Sequence, residues 1–384
     1  MKTPYYIVYE SRLRHNLDLI TSVARESGAH IIMAFKANAL WRTFGVMREY
    51  NEGFTASSLY ELRLGNEELL QLGHSYCPAY TEETIQEYLE GSSHITFNSL
   101  SQFERFIPEV VNFNTSGGGH KVTAGLRVNP QCSVIETDIY NPALPGSRFG
   151  VTADKLEAYI AGERKGEWPE GLDGFHFHQL CESSSYDLEK VLTAFEEQFG
   201  CYLTHLKWVN FGGGHLMTRE GYDTAHLVKV IRGFRERYPW LEVILEPGSA
   251  FTWRTGDLIT SVVDVVENHG IRTAIIDASF ACHMPDTLEM PYQPAITESN
   301  PEGGFVYRLG GNSCLSGDFM GDWHFDHPLQ EGEQLTLEDM NHYTTVKTNM
   351  FNGIAHPAII FERTDGSRKL LRKFDFDDYK NRMD

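Results

Sequence analysis

The sequence predicts an α/β protein: a (β/α)8 TIM-like barrel followed by a C-terminal, mainly antiparallel β domain. Short apolar segments alternate with longer amphipathic segments from about residue 10 to about residue 245. Such alternation is typical of a parallel sheet covered by helices, and the number of units favours a closed barrel over an open sheet. After Pro247, β-branched residues, glycine and asparagine become frequent, which indicates a second domain of β structure.

The predicted elements follow the hydrophobic periodicity. Short apolar segments predict barrel strands at 30–35, 122–128, 174–178, 206–211 and 241–245. The 3.6-residue period predicts helices at 57–72, 187–199 and 225–238. Beyond the barrel, strands are predicted at 257–267 and 273–276, and a strand with a short helix is predicted within 363–384. Within the barrel region, three glycines predict a surface loop at 117–119. A chain of 384 residues exceeds the usual size of one core, so we predict a barrel domain at 9–247 and a β domain at 248–384 together with 1–8.

The composition narrows the function classes. Hydrophobic residues make up 41% of the chain and charged residues 22%, which is ordinary for a globular protein. The formal net charge of −20 argues against nucleic-acid binding and would suit a cationic small molecule. The six cysteines include no Cys-x-x-Cys pair, and no segment is apolar over the ~18 residues that a membrane span needs. We therefore expect a cytoplasmic protein that binds neither nucleic acid nor a membrane.

Lys36 is the first candidate for a catalytic residue. It comes directly after the apolar segment 30–35, at the carboxyl end of a predicted barrel strand, where the active sites of such barrels lie. Partial desolvation at this position would lower the pKa of the lysine and make its amine a better nucleophile toward an aldehyde. The alternative is a lysine that only extends to solvent from the end of a strand.

Two further candidates follow predicted strands. A run of three glycines, 212–214, lacks side chains, so its backbone N–H groups can approach an anion such as phosphate. The sequence His176-x-His178 places two histidines on the same face of a strand. These histidines and Cys181 form a conceivable metal site. We favour the alternative of one packed and one functional histidine.

Glu246 and Cys314 complete the set of candidates. Glu246-Pro247-Gly248 follows the strand at 241–245, and a carboxylate at that position is able to pair with a protonated ring nitrogen. Cys314 lies among glycine and polar residues, where a thiol is able to donate a proton or act as a nucleophile. Taken alone, a cysteine is more often a small buried residue.

The order of short motifs along nearly the whole chain points to a known family. The motifs are Lys36-Ala37-Asn38, Ala56-Ser57-Ser58-x-x-Glu61-Leu62, His178, Gly212-Gly213-Gly214, Glu246-Pro247-Gly248, Cys314-x-x-x-Asp318, Asp339-Met340-x-x-Tyr343-Thr344 and Phe351-Asn352-Gly353. This series resembles the fold-type-III, alanine-racemase-like pyridoxal-phosphate decarboxylases. It resembles in particular the carboxynorspermidine/carboxyspermidine decarboxylases, for which the typical segments are His178-x-Leu180-Cys181-Glu182, Cys314-Leu315-x-Gly317-Asp318 and Phe374-x-Phe376-x-Asp378-Tyr379-Lys380.

The resemblance implies a pyridoxal 5′-phosphate cofactor and a role for each matching residue. Lys36 would hold the cofactor covalently, His178 would stack on its ring, and Glu246 would pair with the ring nitrogen and keep it protonated. Arg127 matches the strand-end arginine that the family places near the cofactor. The residues implied to hold the phosphate are Gly213, Gly214, Gly248 and Tyr343.

The resemblance also implies a homodimer with shared active sites. Cys314 would act in the active site of the partner subunit and return a proton to the substrate after decarboxylation. Asp318 of the same subunit would contact the substrate there. Asp286 lies where the family places a carboxylate for the distal amine of the substrate, and Glu246 is also predicted to contact the substrate.

Departures from other members of the family favour a carboxypolyamine substrate. Diaminopimelate decarboxylases have arginine after Glu-Pro-Gly, where this chain has Ser249, so the guanidinium that would bind a distal carboxylate is absent. Ornithine decarboxylases have an acidic residue directly after the cysteine, where this chain has Leu315. Thr55 stands where several relatives have aspartate. The expected reaction is decarboxylation of carboxynorspermidine or carboxyspermidine, in the biosynthesis of norspermidine or spermidine.

Three alternatives stay open at this point. The first is a decarboxylase of the diaminopimelate or ornithine type. The second is a metal-dependent enzyme of another class, with ligands from His176, His178 and Cys181. The third is a non-catalytic relative that binds polyamines or regulates a partner decarboxylase. Such relatives lose cofactor residues, so the third is disfavoured by the joint presence of Lys36, His178, Glu246, Cys314 and Tyr343.

Overall fold

The computed structural model describes residues 1–50, 53–117, 119–135 and 137–384. The chain divides into two compact units. The barrel unit comprises Leu17–Lys36 and Phe44–Phe251, and the sheet unit comprises Met1–Asn16, Ala37–Thr43 and Thr252–Asp384. The domain boundaries that the sequence predicts stay a prediction. The predicted loop at 117–119 includes Gly118, which lies outside the described residues.

The barrel unit is built on one parallel sheet. With β1 (Tyr5–Tyr9) counted first in the chain, its strands are β2 (His30–Ile31), β3 (Met33–Ala34), β4 (Phe54–Ala56), β5 (Gly73–Tyr76), β6 (Ser92–Phe97), β7 (Thr123–Arg127), β8 (Leu172–His176), β9 (Trp208–Asn210) and β10 (Glu242–Leu245). Their order in the sheet is β2-β10-β9-β8-β7-β6-β5-β4-β3. Because β2 and β3 are consecutive parts of one segment, pairing of β2 with β10 and of β3 with β4 brings the two ends of the sheet together in a (β/α)8 barrel.

Amphipathic helices alternate with these strands. They are α1 (Glu10–Ser27), α2 (Phe44–Arg48), α3 (Leu59–Glu68), α4 (Ile85–Gly91), α5 (Leu100–Thr115), α6 (Ala153–Gly162), α7 (Ser185–Phe199), α8 (Thr224–Arg237) and α9 (Ser249–Thr252). Helix α7 shows how the sequence defines them. Ser184 and Asp187 form a reciprocal capping box at its start, and Leu188, Leu192 and Phe195 are buried at helical spacing.

The sheet unit contains a mainly antiparallel sheet. Its strands are β1, β11 (Gly256–Asn268), β12 (Ile271–Ile276), β13 (Phe305–Gly310), β14 (Phe319–Phe325), β15 (Gln334–Leu337), β16 (Ala358–Glu362) and β17 (Arg368–Arg372), with the helices α10 (Phe280–His283), α11 (Asp286–Glu289) and α12 (Phe376–Met383). The order is β14-β13-β12-β11-β1-β16-β17, and β15 pairs with β11. Only the β1–β16 and β12–β13 pairs among those described are parallel. One face buries a core that includes Leu258, Ile276 and Phe325.

The predicted fold class is confirmed, and each strand and helix that the sequence predicts has a counterpart within a few residues. Three barrel strands, β4, β5 and β6, were not predicted. Polar residues such as His74, Ser75 and His94 break the apolar pattern of β5 and β6, which hides these strands from hydrophobic periodicity. Within the described residues, no helix is long and apolar enough to cross a membrane.

Candidate active site

Lys36 lies at the carboxyl end of the barrel, directly after β3. The N–H of Phe35 donates to the carbonyl of Thr55 at 3.2 Å, and the N–H of Ala34 donates to the carbonyl of Pro247 at 3.3 Å. The side chain of Lys36 is reached by solvent, but protein atoms surround it on several sides. This partial desolvation lowers the pKa of Lys36, and the positive charge of Arg127 lowers it further.

Glu246 follows β10 and is only 5% exposed. The amide of Asn210 donates to its Oε1 at 2.6 Å, and the Nε2 of His176 lies 3.6 Å from its Oε2. Burial raises the pKa of Glu246, whereas the hydrogen bond from Asn210, the nearby charge of Lys36 and the hydroxyl of Thr55 act in the opposite direction.

His178 is held by the glycine loop. The N–H of Gly213 donates to the Nδ1 of His178 at 3.0 Å, so the proton of the neutral ring is on Nε2. Burial lowers the pKa of His178 well below its usual value, and the charges of Lys36 and Arg127 add to this effect. The imidazole is therefore neutral at physiological pH.

Arg127 ends β7 and is 5% exposed. Its Nη1 donates to the hydroxyl of Tyr76 at 2.6 Å, and its Nη2 donates to the carbonyl of His178 at 3.4 Å. The guanidinium carbon lies 4.7 Å from the centre of the Tyr76 ring and 4.4 Å from that of Phe149. Tyr76 in turn donates to Asn98 at 2.9 Å. These contacts fix the guanidinium next to His178.

The glycine loop leaves no room for side chains. A Cβ at position 213 would lie 2.5 Å from the carbonyl oxygen of Glu246, and one at position 214 would lie 2.3 Å from that of Leu180. Gly214 also has a φ of +89°, which favours glycine. Gly248 follows Glu246 by two residues, at the start of α9. The N–H groups of Gly212 and Gly213 are already bonded to Asn210 and His178, so this backbone cradle can offer a ligand the N–H of Gly214.

Tyr343 and Asp286 lie in the sheet unit. The N–H of Tyr343 donates to the carbonyl of Ala37 at 2.7 Å, and Tyr343 has a φ of +53°. Asp286 begins α11, and its Oδ1 lies 2.5 Å from the Nζ of Lys347, which also contacts the Oε2 of Glu289 at 2.7 Å. Desolvation makes the largest single contribution to the pKa of Lys347 and lowers it. The hydrogen bonds to Asp286 and Glu289 together outweigh desolvation and raise the pKa to about 12. Asp286, which the sequence predicts to contact the substrate, therefore already forms an ion pair with Lys347 of the same chain.

Asp318 and Cys314 also lie in the sheet unit. Asp318 is 4% exposed, and its two oxygens accept hydrogen bonds from the N–H groups of Ala281 at 2.9 Å and Ser313 at 3.1 Å. These bonds hold the loop that contains Cys314. The thiol-bearing residue is exposed, and its N–H donates to Asn352 at 2.8 Å. The predicted roles of both residues stay predictions.

The structure brings together one group of the predicted residues at the carboxyl end of the barrel: Lys36, Arg127, His178, Gly213, Gly214 and Glu246. Two neighbours in this group were missed, Tyr76 and Asn210, and Thr55 was noted without a role. Each is a polar residue within or at the end of a barrel strand, and that position is the signal that would have found them. Thr55 and Tyr76 lie in β4 and β5, two strands that the hydrophobic pattern does not predict.

These residues fit pyridoxal phosphate. The set contains an amine of lowered pKa, a neutral imidazole, a buried carboxylate and a loop cradle closed to side chains. A family model described as "Pyridoxal-dependent decarboxylase, C-terminal sheet domain" matches residues 8–341. The chain belongs to the pyridoxal-dependent decarboxylase family. It is thus a decarboxylase with a pyridoxal-phosphate cofactor. This family sets aside the alternative of a metal-dependent enzyme of another class with ligands from His176, His178 and Cys181.

Relatives within this family extend over the whole chain. The chain is 44% identical to carboxyaminopropylagmatine decarboxylase of Synechocystis, covering 100% of this chain and 96% of the relative. It is 38% identical to carboxynorspermidine/carboxyspermidine decarboxylase of Campylobacter jejuni, covering 100% and 98%. The crystal structure of the Campylobacter jejuni carboxynorspermidine decarboxylase complexed with norspermidine covers both chains fully, with a TM-score of 0.88 and 36% identity. Diaminopimelate decarboxylase from Helicobacter pylori, complexed with L-lysine, shares the fold at a TM-score of 0.80 with 17% identity, covering 100% of this chain and 97% of that one.

Proposed function

We propose that this decarboxylase removes the carboxylate from carboxynorspermidine or carboxyspermidine, with Lys36 as the residue that holds the cofactor. The observation that supports this best is the position of Lys36 at the end of β3, where the charges of Glu246 and Arg127 influence its pKa. Relatives with this activity are 37–38% identical over at least 99% of the chain. The products would be norspermidine or spermidine.

The cofactor, when bound, supplies an electron sink for the pair of electrons left as the bond between Cα and the carboxylate breaks. Lys36 has a lowered pKa, so a larger fraction of its amine is unprotonated and able to attach to an aldehyde. Glu246 would pair with the protonated ring nitrogen of the cofactor, and His178, as a neutral imidazole, would stack on the ring. Gly214 and Gly248 would offer backbone N–H groups to the phosphate, and Tyr343 is a further proposed contact.

Arg127 and the remaining glycine have supporting roles. Arg127 places a positive charge near Lys36 and so favours the unprotonated amine. Gly213 uses its own N–H to hold His178, so its proposed share in the phosphate site is to let the loop pack closely against the backbone of Glu246. The loop therefore positions the imidazole and the phosphate from one short segment.

The proton that replaces the lost carboxylate would come from Cys314 of a second copy of the chain. We propose a cytoplasmic homodimer in which Cys314 and Asp318 complete the active site of the partner. Cys314 is exposed, its neighbour Leu315 is 45% exposed, and Phe351, which precedes the Asn352 that accepts from the N–H of Cys314, is 48% exposed. An exposed thiol next to apolar surface is suited to a position that a partner subunit covers.

The dimer proposal has a direct test. Lys36→Ala and Cys314→Ala chains are unfolded, mixed in equal amounts and refolded. Shared sites predict that about a quarter of the wild-type number of active sites returns, because half of the dimers are mixed and each contains one intact site. Each variant refolded alone is the control, and a mixture no more active than its two parents would contradict trans assembly. Analytical ultracentrifugation checks the dimer independently.

The distal end of the substrate would meet carboxylates of the sheet unit. Asp286 shares Lys347 with Glu289, so two carboxylates and one ammonium leave a net charge of about −1 for a substrate cation. Glu246 and Asp318 are the other proposed contacts. Relatives named diaminopimelate decarboxylase reach only 20–24% identity, and Ser249 offers no guanidinium for a second carboxylate.

A second candidate substrate is carboxyaminopropylagmatine. The relative named for this activity is 44% identical, more than those named for carboxynorspermidine and carboxyspermidine. Its distal group is a guanidinium instead of an ammonium. Each carboxylate next to Lys347 retains one oxygen that the lysine does not contact, which is compatible with either cation.

The test is a substrate panel on the purified protein with pyridoxal phosphate. CO2 release is measured from carboxynorspermidine, carboxyspermidine, carboxyaminopropylagmatine, diaminopimelate and ornithine, with the Lys36→Ala variant as the blank. We expect turnover with the carboxypolyamines and little with the two short amino acids. Turnover confined to diaminopimelate or ornithine would overturn the substrate proposal, and polyamine binding without turnover of any compound would favour a regulator.

A further inference from the structure

Asn210 connects the glycine loop with the buried carboxylate. It is the last residue of β9 and is 2% exposed. Its Oδ1 accepts a hydrogen bond from the N–H of Gly212 at 2.8 Å, and its Nδ2 donates to the Oε1 of Glu246 at 2.6 Å. The two ends of this amide cannot be exchanged, because the reversed amide would set oxygen against a carboxylate and NH2 against an N–H. Asn210 is therefore held as a donor to Glu246.

Thr55 supplies a second neutral donor. It lies in β4, is 6% exposed, and its hydroxyl is near enough to Glu246 to favour the ionised carboxylate. An aspartate here would place a second carboxylate near the first, and like charges favour protonation of one of them. The hydroxyl of threonine is a neutral donor instead.

Several charged or titratable side chains act on Glu246. The ammonium of Lys36 and the guanidinium of Arg127 favour its ionised form at longer range. The Nε2 of His176 lies 3.6 Å from its Oε2, and neither ring nitrogen of this 1%-exposed histidine makes a hydrogen bond among the described residues. Burial keeps the pKa of His176 well below its usual value, so it offers a dipole and no charge. A carboxylate this deeply buried needs donors to stay ionised.

We propose that Asn210 and Thr55 are positioning residues that keep Glu246 ionised and aimed, so that it can pair with the cationic ring nitrogen of the cofactor. The inference rests on the proposed role of Glu246. Asn210 also ties this carboxylate to the glycine loop, since Glu246 donates its own N–H to the carbonyl of Gly212 at 2.8 Å while Asn210 accepts from the N–H of Gly212. The ring carboxylate and the phosphate cradle are thereby one hydrogen-bonded unit.

The test compares Thr55→Val with Thr55→Ser. Valine has the shape of threonine without the donor, whereas serine retains the hydroxyl. The dissociation constant of pyridoxal phosphate is measured for each variant from about pH 6 to about pH 9, by the visible band of the lysine-bound cofactor and by quenching of tryptophan fluorescence. The ratio of the two constants at each pH cancels the titration of the cofactor itself. Circular dichroism and thermal melting report whether the fold is intact.

Loss of the donor makes Glu246 easier to protonate, so the valine variant should lose affinity as the pH falls. We expect a ratio near one at about pH 9 that grows to about tenfold at about pH 6. Asn210→Leu, which has nearly the same shape and no hydrogen-bonding group, should show the same trend with a larger ratio to the wild type. If it fails to fold, the Thr55 pair still decides.

Three results would be informative. A ratio that rises toward acid supports the proposal. A flat ratio, with a visible band that depends on Lys36, would overturn it and leave the proposed function standing. Absence of any Lys36-dependent band in the wild type would instead remove the proposed function on which the inference rests, and with it the inference.

Discussion

The two units of the molecule hold their candidate functional carboxylates in opposite ways. In the barrel unit, Glu246 is 5% exposed, and the side chain that hydrogen-bonds to it at 2.6 Å is the neutral amide of Asn210. In the sheet unit, Asp286 lies 2.5 Å from the ammonium of Lys347 and is more exposed. One carboxylate is oriented by neutral groups and the other is neutralised by a cation of the chain itself.

The difference indicates what each carboxylate is able to bind. A buried charge without a directly contacting cation is costly, and proteins retain such charges mainly at functional sites. The proposed role of Glu246, pairing with a cationic group that stays bound, fits this setting. Under the proposal for Asp286, a substrate cation would share the carboxylate with Lys347, which suits a ligand that must leave after each turnover.

The largest effect in the barrel unit should follow from Lys36→Ala. The cofactor loses its covalent attachment, so the visible absorption band should vanish and kcat should fall by about a thousandfold or more. Absorbance and CO2 release measure the two effects. Lys207→Ala is the control, since Lys207 is an exposed lysine of the same unit that contacts Asp173 at 2.7 Å. Retained turnover in Lys36→Ala would assign cofactor attachment to another residue.

The second largest effect on activity should follow from Glu246→Gln. Glutamine retains the shape and most hydrogen bonds but offers no anion to the ring nitrogen, so we expect kcat to fall about a hundredfold, as for other preorganised electrostatic groups. Steady-state kinetics measure it. Glu242→Gln, at the exposed start of the same strand β10, should be close to wild type. If both variants lose the same fraction of kcat, the proposed pairing of Glu246 with the ring nitrogen is refuted.

The surroundings of Glu246 could be predicted from the sequence better than those of Asp286. Lys36, His178 and Glu246 were found because each follows or ends a strand whose apolar run is easy to recognise. Asn210 was not singled out, because nothing in a linear pattern reveals that one amide bridges Gly212 and Glu246.

The partner of Asp286 was also beyond reach of the sequence. Lys347 lies 61 residues away along the chain, and only the folded sheet unit brings the two side chains together. The same limit applies to Tyr76 and Arg127, which are 51 residues apart. Periodicity and local motifs report strand ends well, but they carry no information on pairs of side chains from distant strands.

A smaller effect is expected from Asp286→Asn in the sheet unit. A remote contact with the substrate predicts a KM about tenfold higher with kcat little changed, because such a contact stabilises the ground and transition states alike. Glu331→Gln is the control, since Glu331 is an exposed carboxylate of the same unit that the proposed substrate site does not use. An unchanged KM together with a lower melting temperature would make Asp286 a structural anchor for Lys347 instead.

The smallest effect concerns stability and lies in the barrel unit. The rings of His74 and His94 stack with centres 4.0 Å apart, and burial lowers the pKa of His94 to about 4. Because this pKa lies below the unfolded value of about 6.5, protonation favours the unfolded chain. The stability contributed by the neutral ring is present above about pH 6.5 and is lost as the pH falls toward about 4.

The free energy of unfolding of the wild type should fall as the pH is lowered, and in His94→Gln this fall should be smaller by about 1 kcal/mol. The value is modest because the ring is partly accessible to solvent. Urea titrations at about pH 7.5 and about pH 5 measure the change. His269→Asn, in an exposed turn of the sheet unit, is the control and should leave the pH dependence as it is. An equal effect of the two variants would place the acid sensitivity outside the histidine stack, and the contrast between the units would then rest on their carboxylates alone.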